Sequence, residues 1–164
     1  MNSDQITLIR ESWPAVSAKA DALTATFYAR LFEIDAGAPR LFAHVDMAAQ
    51  RKKLAQSLAV VVAALDDPDS LLPAISALGK RHTHYGVEQH HFDAVGEALL
   101  TAIGTTLGAD YTQEIHDAWA DAYALVAAVM KRALVRAEAA QGGGAGATLP
   151  TAATLEKAGR ADMQ

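Results

Sequence analysis

Leu71-Leu72-Pro73-Ala74-Ile75-Ser76-Ala77-Leu78-Gly79-Lys80-Arg81-His82-Thr83-His84-Tyr85 is the stretch on which the fold turns. Leu71, Ile75, Leu78 and His82 recur at the spacing of one face of an α-helix, which predicts a helix over about 71–85 ending before Gly86. His82 therefore points inward. His84 lies two residues on, about 200° around the helix, beside Lys80 on the polar face. One helix thus carries an inward and an outward histidine, and the two cannot chelate one ion. Taken alone, His82 reads first as a core histidine bonded to a carbonyl and second as a ligand.

Two neighbouring segments break their own apolar pattern in the same way. Asp46 is a good N-cap for a helix to Leu65 whose stripe is Leu54, Leu58, Val61 and Leu65. Gln50 sits one turn before that stripe, where it either reaches water or needs a buried partner. A helix from about Asp21 to Ile34 carries Leu23, Phe27, Leu31 and Ile34, with Tyr28 beside Phe27. A lone buried tyrosine is most simply core, but its hydroxyl normally needs a partner.

The rest of the chain is also helical in pattern. Ser3 and Asp4 open a first helix that Pro14 is placed to bend or end. Asp35-Ala-Gly-Ala-Pro39 breaks the second. Phe92, Val95, Leu99, Ile103 and Leu107 mark a helix over about 89–107. Thr112 then caps a last one bearing Ile115, Trp119, Tyr123, Val126, Met130 and Ala133. Six to eight helices without a strand signal define an all-α domain over residues 1–138. Residues 139–164 hold five of the eleven glycines and read as a flexible Ala/Gly-rich tail.

Composition agrees. The chain has 164 residues, 37 of them alanine, the best helix former. It has no cysteine, which excludes disulfides, thiolate metal ligation and a cysteine nucleophile. A net charge of −5 argues against nucleic acid or an anionic membrane as partner. Met1–Trp13 lacks the apolar run of a signal peptide, and no stretch has the roughly 20 apolar residues that span a bilayer. A cytoplasmic domain is expected. These 164 residues leave no room for a flavin or nicotinamide module beside the helical domain.

Together, an inward imidazole from one helix and hydrogen-bonding groups from two others suit a haem, whose iron takes one axial bond from the protein. The order of residues also resembles the globin family, nearest to bacterial single-domain haemoglobins and the globin domain of flavohaemoglobins. The resemblance covers about residues 4–138. It is carried by Thr26-Phe27-Tyr28-Ala29-Arg30-Leu31-Phe32, Pro39-Arg40-Leu41-Phe42 and Gln50-Arg51-Lys52-Lys53-Leu54. The strongest run is Leu78–Val87 followed by His91-Phe92-Asp93-Ala94-Val95-Gly96-Glu97, and Ala118–Tyr123 completes it.

The resemblance implies a globin fold around haem b, with His82 as the proximal iron ligand. It places Phe42 against the haem, and Tyr28, Gln50 and Leu54 around the distal ligand position. Val87, Phe92 and Tyr123 would line the cofactor, with Arg81 placed to pair with a propionate. Flavohaemoglobins set a tyrosine and a glutamate near the proximal histidine. Phe92 and Leu134 stand at those positions here and cannot hydrogen-bond through their side chains, which leaves His82 a more nearly neutral ligand. His44, His90 and His116 are expected in solvent, and His91 at the start of a helix.

The implied function is reversible binding of oxygen, and of CO and NO, for oxygen transport or nitric oxide detoxification. Nitric oxide dioxygenation would need an electron donor in trans, such as a separate reductase. The chain would act as a monomer or homodimer. The alternatives are a haem-free globin-fold module for signalling or interaction, and a gas sensor acting through a separate partner.

Overall fold

The computed structural model of the chain describes residues 1–83 and 87–141, with side chains for 1–79 and 87–140. Helix α1 spans Ser3–Ala18, opening at Ser3 as expected, with Asn2 just before it as the N-cap. Asn2 accepts the Gln5 N–H at 2.9 Å, and Gln5 Oε1 accepts the Asn2 N–H at 3.1 Å. This reciprocal pair satisfies two otherwise orphaned donors. Pro14 lies inside α1, which runs on to Ala18. The buried Ile9, Ser12 and Val16 flank the proline on one face, so packing outweighs the backbone bond that it removes.

Helices α2 (Ala20–Ile34) and α3 (Ala38–Leu41) follow, then α4 (Met47–Ala63). Asp46 caps α4 as expected, its Oδ1 accepting from Ala48 N at 3.0 Å and Ala49 N at 3.3 Å. Helix α5 covers Pro68–Thr83 and α6 covers His91–Leu107. A 3-10 turn at Gly108–Asp110 leads to α7, Gln113–Gln141. Thr112 Oγ1 accepts the Ile115 N–H at 3.2 Å, which makes it the cap of α7. The described residues are all-α, with no strand. No helix among them is long and apolar enough to cross a membrane. Residues 142–164, most of the expected tail, lie outside the described residues.

Helix α7 serves two cores. Its first half joins α1, α2 and α6 in a cluster that includes Ile9, Leu23, Phe27, Ile103 and Trp119. Trp119 Nε1 donates to the buried Ser12 Oγ at 3.0 Å, and Ser12 donates onward to the Ile9 carbonyl. Its second half joins α5 and the start of α6 through Leu71, Ile75, Phe92, Met130 and Leu134. Helix α4 packs mainly on α1 and α2, with Val61 near its end also against the second cluster. Val62 is its one fully buried residue, whereas Leu54, Leu58 and Val61 are only half-buried. Among the described residues, no helix is thus laid fully across the apolar stripe of α4.

The close approach of α5 to α7 depends on Gly79. A Cβ there would lie 2.8 Å from Ala133 Cβ and 2.9 Å from the Met130 carbonyl oxygen. Backbone of α7 cannot yield as a side-chain tip can. Gly79→Ala is therefore expected to destabilise the fold by about 1–3 kcal/mol, read from urea denaturation. An unchanged midpoint would show that the two helices do not meet so closely.

Candidate ligand pocket

Tyr28 is 6% exposed and forms the centre of an aromatic wall. Its ring meets Phe42, the C-cap of α3, edge-on at 5.4 Å between centroids. Phe27 lies edge-on at 4.9 Å, and Phe32 packs tilted against both Tyr28 and Phe42. Helices α2 and α3 are thereby locked at the corner where the chain turns toward α4. Burial pushes the Tyr28 hydroxyl up to about 12, and hydrogen bonding to Gln50 offsets part of that rise. The two side chains picked out from sequence thus meet, although 22 positions separate them. Leu54 stands one turn beyond Gln50 on the half-covered stripe of α4.

Across the fold, α5 presents Leu71 and Ile75, 2% and 0% exposed, on the stripe that the sequence extends to His82. His82 belongs to α5, but its side chain and that of Arg81 lie outside those described, and His84 lies outside the described residues altogether. Val87 is half-buried against the α5–α7 cluster. Phe92 and Leu134 are buried in that same cluster, and Lys131 Nζ stands 5.5 Å above the Phe92 ring.

Tyr123 is half-buried and touches both clusters. Its hydroxyl donates to the Phe92 carbonyl oxygen, and its ring lies against Gly96, where a Cβ would come within 2.6 Å of it. Burial, followed by the nearby Asp93 charge, raises its pKa. The hydroxyl thus ties α7 to α6. His44 and His90 are exposed, and His116 pairs with Asp117 at 3.2 Å. His91 is the first residue of α6. One grouping has no signal in sequence beyond the adjacency of two histidines: Asp35, His90 and His91 converge from separate helices.

A family model for globins matches residues 25–130. The chain belongs to the globin family. The matched segment of this globin runs from the middle of α2 through most of α7 and contains Tyr28, Phe42, Gln50, Leu54 and His82. Among its relatives is a flavohemoprotein of Rhodopirellula baltica, 33% identical over 129 residues, which cover 77% of this chain and 32% of that protein. A flavohemoprotein of Bordetella parapertussis is 34% identical over 142 residues, covering 84% of this chain and 35% of its own. Another, from Deinococcus radiodurans, is 31% identical over 149 residues, covering 88% and 37%. The globin chain spans about a third of the length of the curated relatives that it matches.

The raised Tyr28 pKa has a consequence for stability. The unfolded chain ionises this group near 10.0 and the folded chain near 12, so stability is full below the first value and is lost as pH rises toward the second. Urea midpoints measured across that window should fall less steeply for Tyr28→Phe than for the parent. Parallel slopes would contradict the burial of this hydroxyl.

Proposed function

We propose that this globin holds haem b between α4 and α5, with His82 as the iron ligand, and reversibly takes oxygen, CO or NO beneath Tyr28, Gln50 and Leu54. The observation that carries the reading is the buried Tyr28 hydroxyl paired with Gln50 at the head of a half-covered apolar stripe. A flat apolar group suits such a stripe, and the polar pair suits a ligand with hydrogen-bond accepting atoms. Bound haem, held through His82, would supply an iron able to take a diatomic gas.

The chain's own residues account for the rest. A hydroxyl with a pKa near 12 keeps its proton at any physiological pH, so Tyr28 is a constant donor. Gln50 orients that hydroxyl and offers its own amide as a second donor. Leu54 keeps water from the pocket, and the Phe42 ring, wedged against Tyr28 and Phe32, provides an apolar wall. Val87 and the ring of Tyr123 would border the cofactor, with Arg81 toward a propionate.

Around α5 the apolar character of Phe92 and Leu134 supports binding over peroxidase-like chemistry. Both lie with Leu71 and Ile75 in one cluster, and neither side chain can accept a hydrogen bond from an imidazole. A neutral ligating histidine favours holding a gas over splitting it. Nitric oxide detoxification is a second use of the same pocket. It requires electrons, and a separate reductase is the partner that this use demands.

The reduced protein should show a strong Soret band that shifts with carbon monoxide and is lost in His82→Ala. With Gln50 at the distal position, the gas-free ferrous form should be five-coordinate. Charge-assisted hydrogen bonds contribute about 1.5–3 kcal/mol, so Tyr28→Phe should speed oxygen release about ten- to a hundredfold, and Gln50→Leu less. Unchanged release rates in stopped-flow would remove Tyr28 from the pocket. Failure to take up haem at all would favour a haem-free interaction module.

A further inference from the structure

Asp35 ends α2 as its C-cap, and its two carboxylate oxygens fare differently. Oδ1 accepts the Gly37 N–H at 2.9 Å. Oδ2 is shielded from solvent and has no hydrogen-bond partner among the described residues. Native structures seldom leave a buried carboxylate oxygen so, because desolvation without a partner is costly. Two imidazoles from the start of α6, which packs on α2, face this oxygen. His91 Nε2 is 3.4 Å from it and His90 Nε2 is 3.9 Å from it. The ligand atoms of the three residues all lie within 4.8 Å of one another. Among the described residues no other trio of histidine and carboxylate groups converges in this way.

The separations fit a shared ion better than hydrogen bonds. Zinc bound tetrahedrally at about 2.0–2.1 Å holds neighbouring donor atoms roughly 3.3–3.4 Å apart. The His91–Asp35 separation matches that value. His90 needs to close by about half an ångström toward it, which a side chain 61% exposed can do. The 3.4 Å approach of His91 Nε2 to Oδ2 does not meet hydrogen-bond geometry. His90 Nδ1 stands 3.2 Å from the Glu88 carboxylate, the outer partner that orients a ligating imidazole.

We infer that Asp35, His90 and His91 form a site for a borderline transition-metal dication, with zinc the best match, that clips the end of α2 to the start of α6. Two nitrogens and one carboxylate oxygen suit Zn²⁺, Ni²⁺ or Cu²⁺ better than Mg²⁺ or Ca²⁺, which prefer all-oxygen shells. Three protein ligands leave a fourth position for water. Loading also has a local cost. His91 Nδ1 accepts the Glu88 N–H at 2.8 Å, so in the metal-free chain the ring proton is on Nε2. Metal at Nε2 moves that proton to Nδ1 and breaks this contact, so the backbone at Glu88 must shift. The site owes nothing to the haem reading and stands or falls separately.

Equilibrium dialysis of the full chain against micromolar ZnCl2, with metal analysis and thermal denaturation, tests the site. One zinc per chain and a raised Tm are expected. His90→Ala should weaken binding by more than tenfold, and Glu88→Gln by about ten- to a hundredfold through loss of the orienting carboxylate. Both residues are exposed, so both variants should fold. His116→Ala, which alters the exposed pair with Asp117, should bind as the parent does. Zinc binding that is absent, or equal in the parent, His90→Ala and Asp35→Asn, would overturn the assignment.

Discussion

Apolar surface on α4 that no other helix fully covers, among the described residues, is the constraint on which the rest of the structure depends. Leu54, Leu58 and Val61 are only half-buried, whereas Leu23, Phe27 and Leu31 on α2 and Leu99, Ile103 and Leu107 on α6 are buried. Full burial of such a side chain is favourable by about 1.5–3 kcal/mol, so the fold leaves stabilisation to be gained there. Its helices are arranged around that fact. One cluster gathers α1, α2 and α6, the other α5 and the end of α7, and α4 leans mainly on the first, reaching the second through Val61. In a globin, a flat apolar guest is what completes such an arrangement.

Polarity on the aromatic wall is concentrated at one pair, Tyr28 and Gln50. Tyr28 is the phenol of the aromatic wall, and burial makes it a donor that does not ionise in the physiological range. Gln50 reaches it from α4 and ties the apolar stripe to the wall. A second phenol, that of the half-buried Tyr123, is committed to the Phe92 carbonyl and to packing on Gly96. The two tyrosines thus divide into one that faces the pocket residues and one that fastens α6 to α7. Around α5, Phe92 and Leu134 keep the surroundings apolar.

Much of this was legible in the sequence. Helical periodicity located the elements to within a few residues, and the caps Asp46 and Thr112 were plain because their oxygens have one obvious use. Tyr28 and Gln50 stood out as polar residues on apolar stripes. Pro14 was harder, because a proline's local cost is visible in sequence and the packing of Ile9 and Val16 that overrides it is not. The role of the Tyr123 hydroxyl was hidden for a similar reason, since a backbone carbonyl carries no sequence signature. Asp35 and His91 lie 56 positions apart, and only the approach of α2 to α6 brings them together.

Hydrogen exchange on the haem-free and haem-loaded chain tests the central claim most directly. Residues 50–61 of α4 should exchange quickly without haem and become strongly protected once it is bound. The amides of α1, α2 and α6, already closed over their own core, should change little. Equal protection of residues 50–61 in both states would contradict the account, because it would mean that the protein covers this face by itself.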